Sequence, residues 1–325
     1  MIVVTGGSGF IGSALVWRLN RKSVTDILVV DHLAESEKWK NLVPLRFSDY
    51  LDRQEFIIRL ERGDFGNAIE AILHMGACSS TTEKNVDYLL ENNYRYSLRI
   101  ARWRESHPSC RLIYASSAAT YGDGGRGYVD NEEKLDELRP LNMYGYSKHL
   151  FDLHAAGKGW LRQIVGLKYF NVFGPNEYHK GDMRSVLCKA YPGVRESGTM
   201  RLFTSYRKEF PDGGQKRDFI YIKDAVEMTL FFLENPSVNG LFNIGTGTAR
   251  TWNDIAGALF SATGKKGAIE YIPMPENIRD KYQYFTSADL TKLRSAGCGH
   301  RCMPLEDAVE DYVKNYLVKG TALDV

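Results

Sequence analysis

Long apolar runs, paired cysteines and an excess of either charge are all missing from this chain, and each absence removes a class of protein. No apolar stretch in its 325 residues approaches the ~18 that a membrane-spanning helix requires. No charged start with an apolar segment and cleavage site is read at "MIVV", so no secretory leader is expected. The five cysteines, Cys78, Cys110, Cys188, Cys298 and Cys302, are odd in number and form no CxxC pair, which argues against a disulfide framework and against a zinc site. No metal is expected. The 42 basic and 40 acidic residues are interspersed and leave a formal charge of +2, so no basic stripe points to nucleic acid or an anionic membrane. Internal repeats and low-complexity segments are also lacking. These features describe a chain in a reducing cytoplasm with a small molecule as its partner.

What is present is enough apolar residue, 43% of the chain, for a sizeable core in roughly two domains of ~150 residues. The first thirty residues read as strand "MIVVT", glycine turn "GGSGFIG", helix "SALVWRLNRK" and strand "DILVVD". The runs "AIEAILHMGA" and "CRLIYASSA" read as further buried parallel strands, with the helical stretch "VDYLLENNYRYSLRIARWRES" between them. Alternation of this kind predicts an α/β fold, a Rossmann-type doubly wound parallel sheet with a smaller α/β substrate-binding domain. The strand "QIVGLKYFNVFG" closes the regular region. Later, "RDFIYIKDAVEMTLFFLEN" and "GLFNIGTG" return to strand-helix-strand character, with Asp224 placed to cap the helix start. A discontinuous division is therefore expected: 1–172 plus about 217–248 for the nucleotide, and about 173–216 plus 249–325 for the substrate.

Gly6, Gly9 and Gly12 lie between a predicted strand and a predicted helix, the context that gives glycine spacing a meaning. Gly6 permits the tight turn, Gly9 lets the backbone approach a pyrophosphate, and Gly12 allows helix and strand to pack closely, while the helix N-terminus offers free N–H groups to the anion. Asp31 ends the second strand, where a carboxylate can bind a ribose 2′-hydroxyl and favour NAD. Lys38 and Arg53 follow in polar segments, where they suit either a 2′-phosphate or plain solvent.

"YASSAATYG" (114–122) ends a strand in hydroxyls, and "MYGYSK" (143–148) places Tyr144 and Lys148 one helical turn apart on one face. An ammonium beside the phenol lowers its pKa from about 10, and a phenol so tuned can take a proton from a substrate alcohol as hydride leaves for a nicotinamide. Ser117 can hold the same substrate oxygen, with Ser116 as the alternative. Tyr146, two residues before Lys148, faces elsewhere.

Together "GGSGFIG", "YASSAATYG", "YGYSK" and "RDFIYIKD" resemble the extended short-chain dehydrogenases/reductases that modify nucleotide sugars, over nearly the whole chain. "GACSSTTE", "NNYRYS", "LNMYGYSK", "YFNVFGPNEYHKG" and "YQYFTSADL" are similar, more specifically, to the ADP-glyceromanno-heptose 6-epimerase family. That resemblance implies a bound NADP, with NAD sometimes accepted, oxidation at C6 of an ADP-heptose followed by reduction from the opposite face, and a homo-oligomer. It carries cofactor contacts onto Phe10, Ile11, Asp31, His32, Lys38, Arg53, the run Met75, Gly76, Ala77, Cys78 and Ser79, Asn92, Lys148 and Val172. Substrate contacts fall on Asn171, Asp182, Lys189, Phe203, Arg217 and Tyr282, beside Ser117. His32, Met75, Arg53, Asp182 and Lys189 depart from the family's more common Asn, Glu, Lys, Ser and His.

A ketone that turns its other face to the same nicotinamide carries its oxygen away from the first acid/base group, so a second is needed. The resemblance places that role on Lys180 in "NEYHKGDM"; a lysine gripping the substrate pyrophosphate is the competing reading. A nucleotide-sugar 4-epimerase would need only one such group, a 4,6-dehydratase would need acid and base where "SSAAT" has alanines, and a cofactor-sensing binding protein would dispense with the Tyr144–Lys148 pair.

Overall fold

A run of short aliphatic segments, buried along their whole length, builds the centre of the molecule. The computed structural model describes residues 1–279 and 282–325. Its strands are β1 (Ile2–Thr5), β2 (Ile27–Asp31), β3 (Asp49–Asp52), β4 (Ala71–His74), β5 (Arg111–Ser117), β6 (Val165–Tyr169), β7 (Asn171–Phe173), β8 (Thr199–Phe203), β9 (Lys216–Tyr221), β10 (Gly240–Ile244), β11 (Ala249–Thr251) and β12 (Ala268–Ile272). The longer helices are α1 (Phe10–Arg21), α2 (Arg53–Arg62), α3 (Val86–Leu89), which runs through a π turn at Leu90–Arg95 into α4 (Tyr96–Glu105), α5 (Met143–Gly157), α6 (Val186–Ser197), α7 (Ile222–Glu234) and α8 (Trp252–Thr263).

Seven parallel strands form the main sheet in the order β10-β6-β5-β4-β1-β2-β3. Alternation along the strands sends Val4, Val29, Leu73 and Ile113 into one apolar layer, with α1 and α7, and Val3, Val30, Ile72 and Leu112 into the other, with α2, α4 and α5. Both faces are covered, which is why the strands inside the edge strand β3 read as apolar runs. The strand order reverses between β1 and β4, and a crevice outside the carboxyl ends of the strands opens at such a point. Smaller sheets, β11-β9-β7 and β12-β8, lie outside it.

Two local expectations are corrected. "QIVGLKYFNVFG" is not one strand: it breaks at Phe170, whose N–H donates to the Ile244 carbonyl, and sends β6 and β7 into different sheets. Asp224 does not cap α7, whose N-cap is Tyr221; its carboxylate instead accepts from the Met303 N–H at 3.0 Å and meets His300 Nε2 at 2.8 Å. A long-range partner has taken the carboxylate that local geometry offered to the helix.

Candidate active site

The loops that follow β1, β2 and β4, with the last residues of β5, line a cavity of about 450 Å³ at the reversal point. Gly6 has φ +64°, and a Cβ there would meet the Gly76 backbone at 2.7 Å, so the turns after β1 and β4 touch only because both are glycine. A Cβ on Gly12 would lie 2.1 Å from the Gly6 carbonyl oxygen. The N-cap of α1 is Gly9, which supplies no side-chain cap, so first-turn N–H groups are left facing the cavity. His74 braces the same corner from behind, 2.6 Å from Thr5 Oγ1 and 2.9 Å from Ser97 Oγ, with burial pushing its pKa down to about 3.

The cofactor-binding residues read from the sequence all line this cavity except Val172, which is part of β7 and pairs in register with Ile220. Asp31 lines the cavity with its carboxylate already engaged: one oxygen accepts from Ser8 N and Oγ, and the other accepts from the His32 N–H and pairs with Lys38 Nζ at 2.7 Å. Lys38 also donates to the His32 carbonyl at 2.8 Å. Arg53 donates to Asn92 Oδ1 through one terminal nitrogen, while its Nε is buried without an acceptor. An uncapped helix end, a glycine cradle and an orphaned guanidinium N–H together fit a phosphate-bearing dinucleotide.

Tyr144 and Lys148 project into the cavity from α5, whose start is capped by Asn142 accepting from the Gly145 N–H. Lys148 Nζ donates to the Ala115 carbonyl at 2.8 Å, and burial drops its pKa to about 8 against the raising effect of Asp152 and Cys78. Here the structure corrects an expectation. Burial raises the Tyr144 pKa, and the neighbouring side chain that works against burial is Ser117, not the Lys148 ammonium, which is engaged with a backbone carbonyl. Desolvation of a phenolate outweighs a cation that is not in contact with it. The two serines part company: Ser116 lines the cavity and its Oγ donates to Asp152 Oδ2 at 2.7 Å, whereas Ser117, outside the lining, accepts from the Ala119 N–H at 3.1 Å. Asp152 also holds Tyr114 and the fully buried Lys168, whose Nζ lies 2.8 Å away and donates to Thr120 as well.

Lys180 enters the same cavity from the short helical turn Tyr178–Met183. Its Nζ lies 5.2 Å from the centre of the Phe10 ring at the start of α1, and burial lowers its pKa while Glu177 raises it. His179 beside it is held down to about 4 by burial, Lys38 and Lys180.

A second cavity of about 670 Å³ opens between α6 and the β12-β8 pair, and Lys189, Phe203 and Tyr282 line it with Trp252. Buried Arg217 stands behind it, its guanidinium 5.0 Å from the Tyr282 ring centre. Asn171 and Asp182 are exposed and outside both cavities; the Asp182 carbonyl accepts from Lys189 Nζ at 3.1 Å. Asn93 was not foreseen. It clamps Cys78 through both backbone groups, at 2.8 and 2.9 Å, and reaches Ser147 on α5 at 3.0 Å, so it ties the Met75–Ser79 loop to α5. Its presence in "ENNYRYS" was the available signal. Among the described residues, Asp224, His300 and Cys302 are the one grouping of metal-ligand type. The Asp224 contacts to His300 and Met303 already account for its carboxylate, and burial keeps the Cys302 thiol at about 12.

Comparison with known proteins supports the same chemistry. Residues 2–245 match the family model described as NAD dependent epimerase/dehydratase family. An ADP-L-glycero-D-manno-heptose-6-epimerase of Nitratidesulfovibrio vulgaris is 56% identical over 317 residues, covering 98% of each chain. Among solved structures, the ADP-L-glycero-D-manno-heptose-6-epimerase of Helicobacter pylori aligns with a TM-score of 0.81 at 26% identity, covering 97% of this chain and 95% of that one. A Thermus thermophilus UDP-glucose 4-epimerase in complex with NAD aligns at 0.76 and 25% identity, covering 96% and 97%. The chain belongs to the NAD dependent epimerase/dehydratase family, and within it to the ADP-L-glycero-D-manno-heptose-6-epimerases.

Proposed function

We propose that this protein inverts C6 of the heptose in ADP-D-glycero-β-D-manno-heptose to give the L-glycero epimer, for the lipopolysaccharide inner core, with Tyr144 and Lys180 as its two acid/base groups. One observation carries the assignment of roles: both side chains line the cavity formed by the glycine turn, from separate segments of the chain. A nicotinamide bound there supplies hydride acceptance and return. One of the two residues takes the C6 hydroxyl proton as the carbon is oxidised to a ketone, with Ser117 holding the oxygen. After rotation about C5–C6, the other gives a proton to the oxygen in its new place. Lys148, on the next turn of α5 with its ammonium held by the Ala115 carbonyl, would contact the cofactor in the same cavity. The redox balance is zero, so the cofactor leaves each cycle as it entered. A 4-epimerase would leave Lys180 without a part, and a cofactor-sensing binding protein would have no need of Tyr144 with Lys148.

NADP is the proposed cofactor. Asp31 is occupied by Ser8 and Lys38, and the free Arg53 Nε favours a 2′-phosphate. The second cavity would take the nucleotide end of the substrate between Phe203 and Tyr282, with Arg217 toward the pyrophosphate and Lys189, Asn171 and Asp182 at its edges. We assign the nucleotide-binding part to 1–172 with about 217–248 and the substrate part to the remainder, and we take the protein to be a cytoplasmic homo-oligomer; no described helix is long and apolar enough to cross a membrane.

The deciding experiment is steady-state kinetics of Lys180→Met beside Tyr144→Phe at saturating ADP-heptose, with the C6 configuration followed by NMR. Each should lose roughly 10²–10⁴-fold in kcat while still binding cofactor. A lysine that merely grips pyrophosphate would raise KM and leave kcat nearly intact.

A further inference from the structure

The stretch that carries Lys180 contains an acid with no part in the chemistry described so far. Glu177 is 1% exposed, yet its carboxylate has four donors around it. Oε1 accepts from Gly174 N at 3.2 Å, Ser185 Oγ at 2.7 Å and Tyr312 OH at 3.1 Å, and Oε2 accepts from Ser185 N. Gly174 and Ser185 bracket the Lys180 segment, and Tyr312 begins the helical turn Tyr312–Leu317, remote in sequence. The neighbouring Asn176 adopts φ +77°, uncommon for a residue other than glycine, and is fully buried. Its side chain donates to Ser13 Oγ on α1 at 2.9 Å and accepts from Leu323 N at 2.8 Å.

We infer that Glu177 is a positioning residue for Lys180: its carboxylate closes the 174–185 loop on itself and against Tyr312, and so sets where the ammonium stands over the start of α1. The inference rests on the reading of Lys180 as the second acid/base group. A loop of this kind, with Gly181 at φ +53° in its middle, would otherwise have many conformations open to it. Four donors converging on one buried carboxylate make it the loop's fixed point. The same charge acts on Lys180, whose pKa it raises against burial. The other titratable groups about the ammonium are His179 on its own segment, Asp31 and Lys38 beyond it, and His32, Arg53, Cys78, Tyr88, Tyr96, Tyr144, Lys148 and Tyr169 along the cavity.

The test is the pH dependence of Lys180 acylation by acetic anhydride, read by peptide mass spectrometry in the wild type, Glu177→Gln and Tyr312→Phe, together with kcat and KM of these and of Lys180→Met. In Glu177→Gln the labelling midpoint should move to lower pH, because an anion has left the ammonium's surroundings, and kcat should fall on the order of 10²-fold with KM little changed. Tyr312→Phe keeps the charge and should hold the midpoint while losing part of kcat; should Glu177→Gln fail to fold, wild-type kcat in Tyr312→Phe overturns the inference. A dead Lys180→Met beside a Glu177→Gln variant with an unmoved midpoint would overturn it alone, whatever that variant's kcat. Near-normal kcat in Lys180→Met would overturn the acid/base reading, and this inference with it.

Discussion

Removing Arg53 and Lys38 one at a time should separate two effects that the sequence could only pool. Arg53 offers a buried Nε with no acceptor in the protein, so a 2′-phosphate would gain one charge-assisted hydrogen bond there without breaking another. Such a bond contributes about 1.5–3 kcal/mol, which is about 10- to 150-fold in affinity. Arg53→Ala should weaken NADP by that factor and leave NAD, which has no 2′-phosphate, little changed. Lys38 differs because its Nζ is already committed to Asp31 at 2.7 Å. Lys38→Ala releases that carboxylate toward a ribose, so NADP should weaken while NAD tightens. Equilibrium titration of cofactor-stripped protein with each dinucleotide reads both variants. Equal losses of NADP and NAD in Arg53→Ala would refute the reasoning, as would a Lys38→Ala variant in which NAD weakens as much as NADP.

Three further outcomes follow from the packing. Lys148→Met should abolish turnover yet raise thermal stability at pH 7, since the buried ammonium is the costly form; with a folded pKa of about 8 and an unfolded value near 10.4, the unfolded chain holds the extra proton between them, so wild-type stability climbs through that window and the variant's advantage should shrink. A melting series from pH 7 to about 10 checks the sign. Gly12→Ala would set a methyl 2.1 Å from the Gly6 carbonyl oxygen, a backbone atom that cannot swing aside, and should cost ~3 kcal/mol or more along with cofactor binding; a melt within a degree of wild type would contradict the geometry. Lys168→Met leaves Asp152 as an unpaired buried charge and should cost about 3–5 kcal/mol in denaturant unfolding, whereas a loss below about 1 kcal/mol would mean that the pair is better solvated than its burial implies.

Sequence alone determined the features that rest on short spacing. A glycine turn between strand and helix, and a tyrosine and lysine four residues apart on a helix, are set by backbone dihedrals and a 3.6-residue period, so "GGSGFIG" and "YGYSK" carried the cofactor loop and the Tyr144–Lys148 pair without help from tertiary contacts. Strand alternation also required Ser116 and Ser117 to face opposite ways, but which of them met Asp152 depended on how α5 crosses the end of β5. Spacing offered the Asp31 carboxylate to a ribose, and in the folded chain Ser8 and Lys38 already engage it. Lys148 had the right distance to tune Tyr144 and spent its ammonium on a carbonyl instead. The break at Phe170, the Asn93 clamp, the Glu177 anchor and the buried Asp152–Lys168 pair share a cause: each joins groups far apart in the chain, and a buried polar group takes whichever partner packing brings within reach, because leaving it unpaired costs more than any local preference can return.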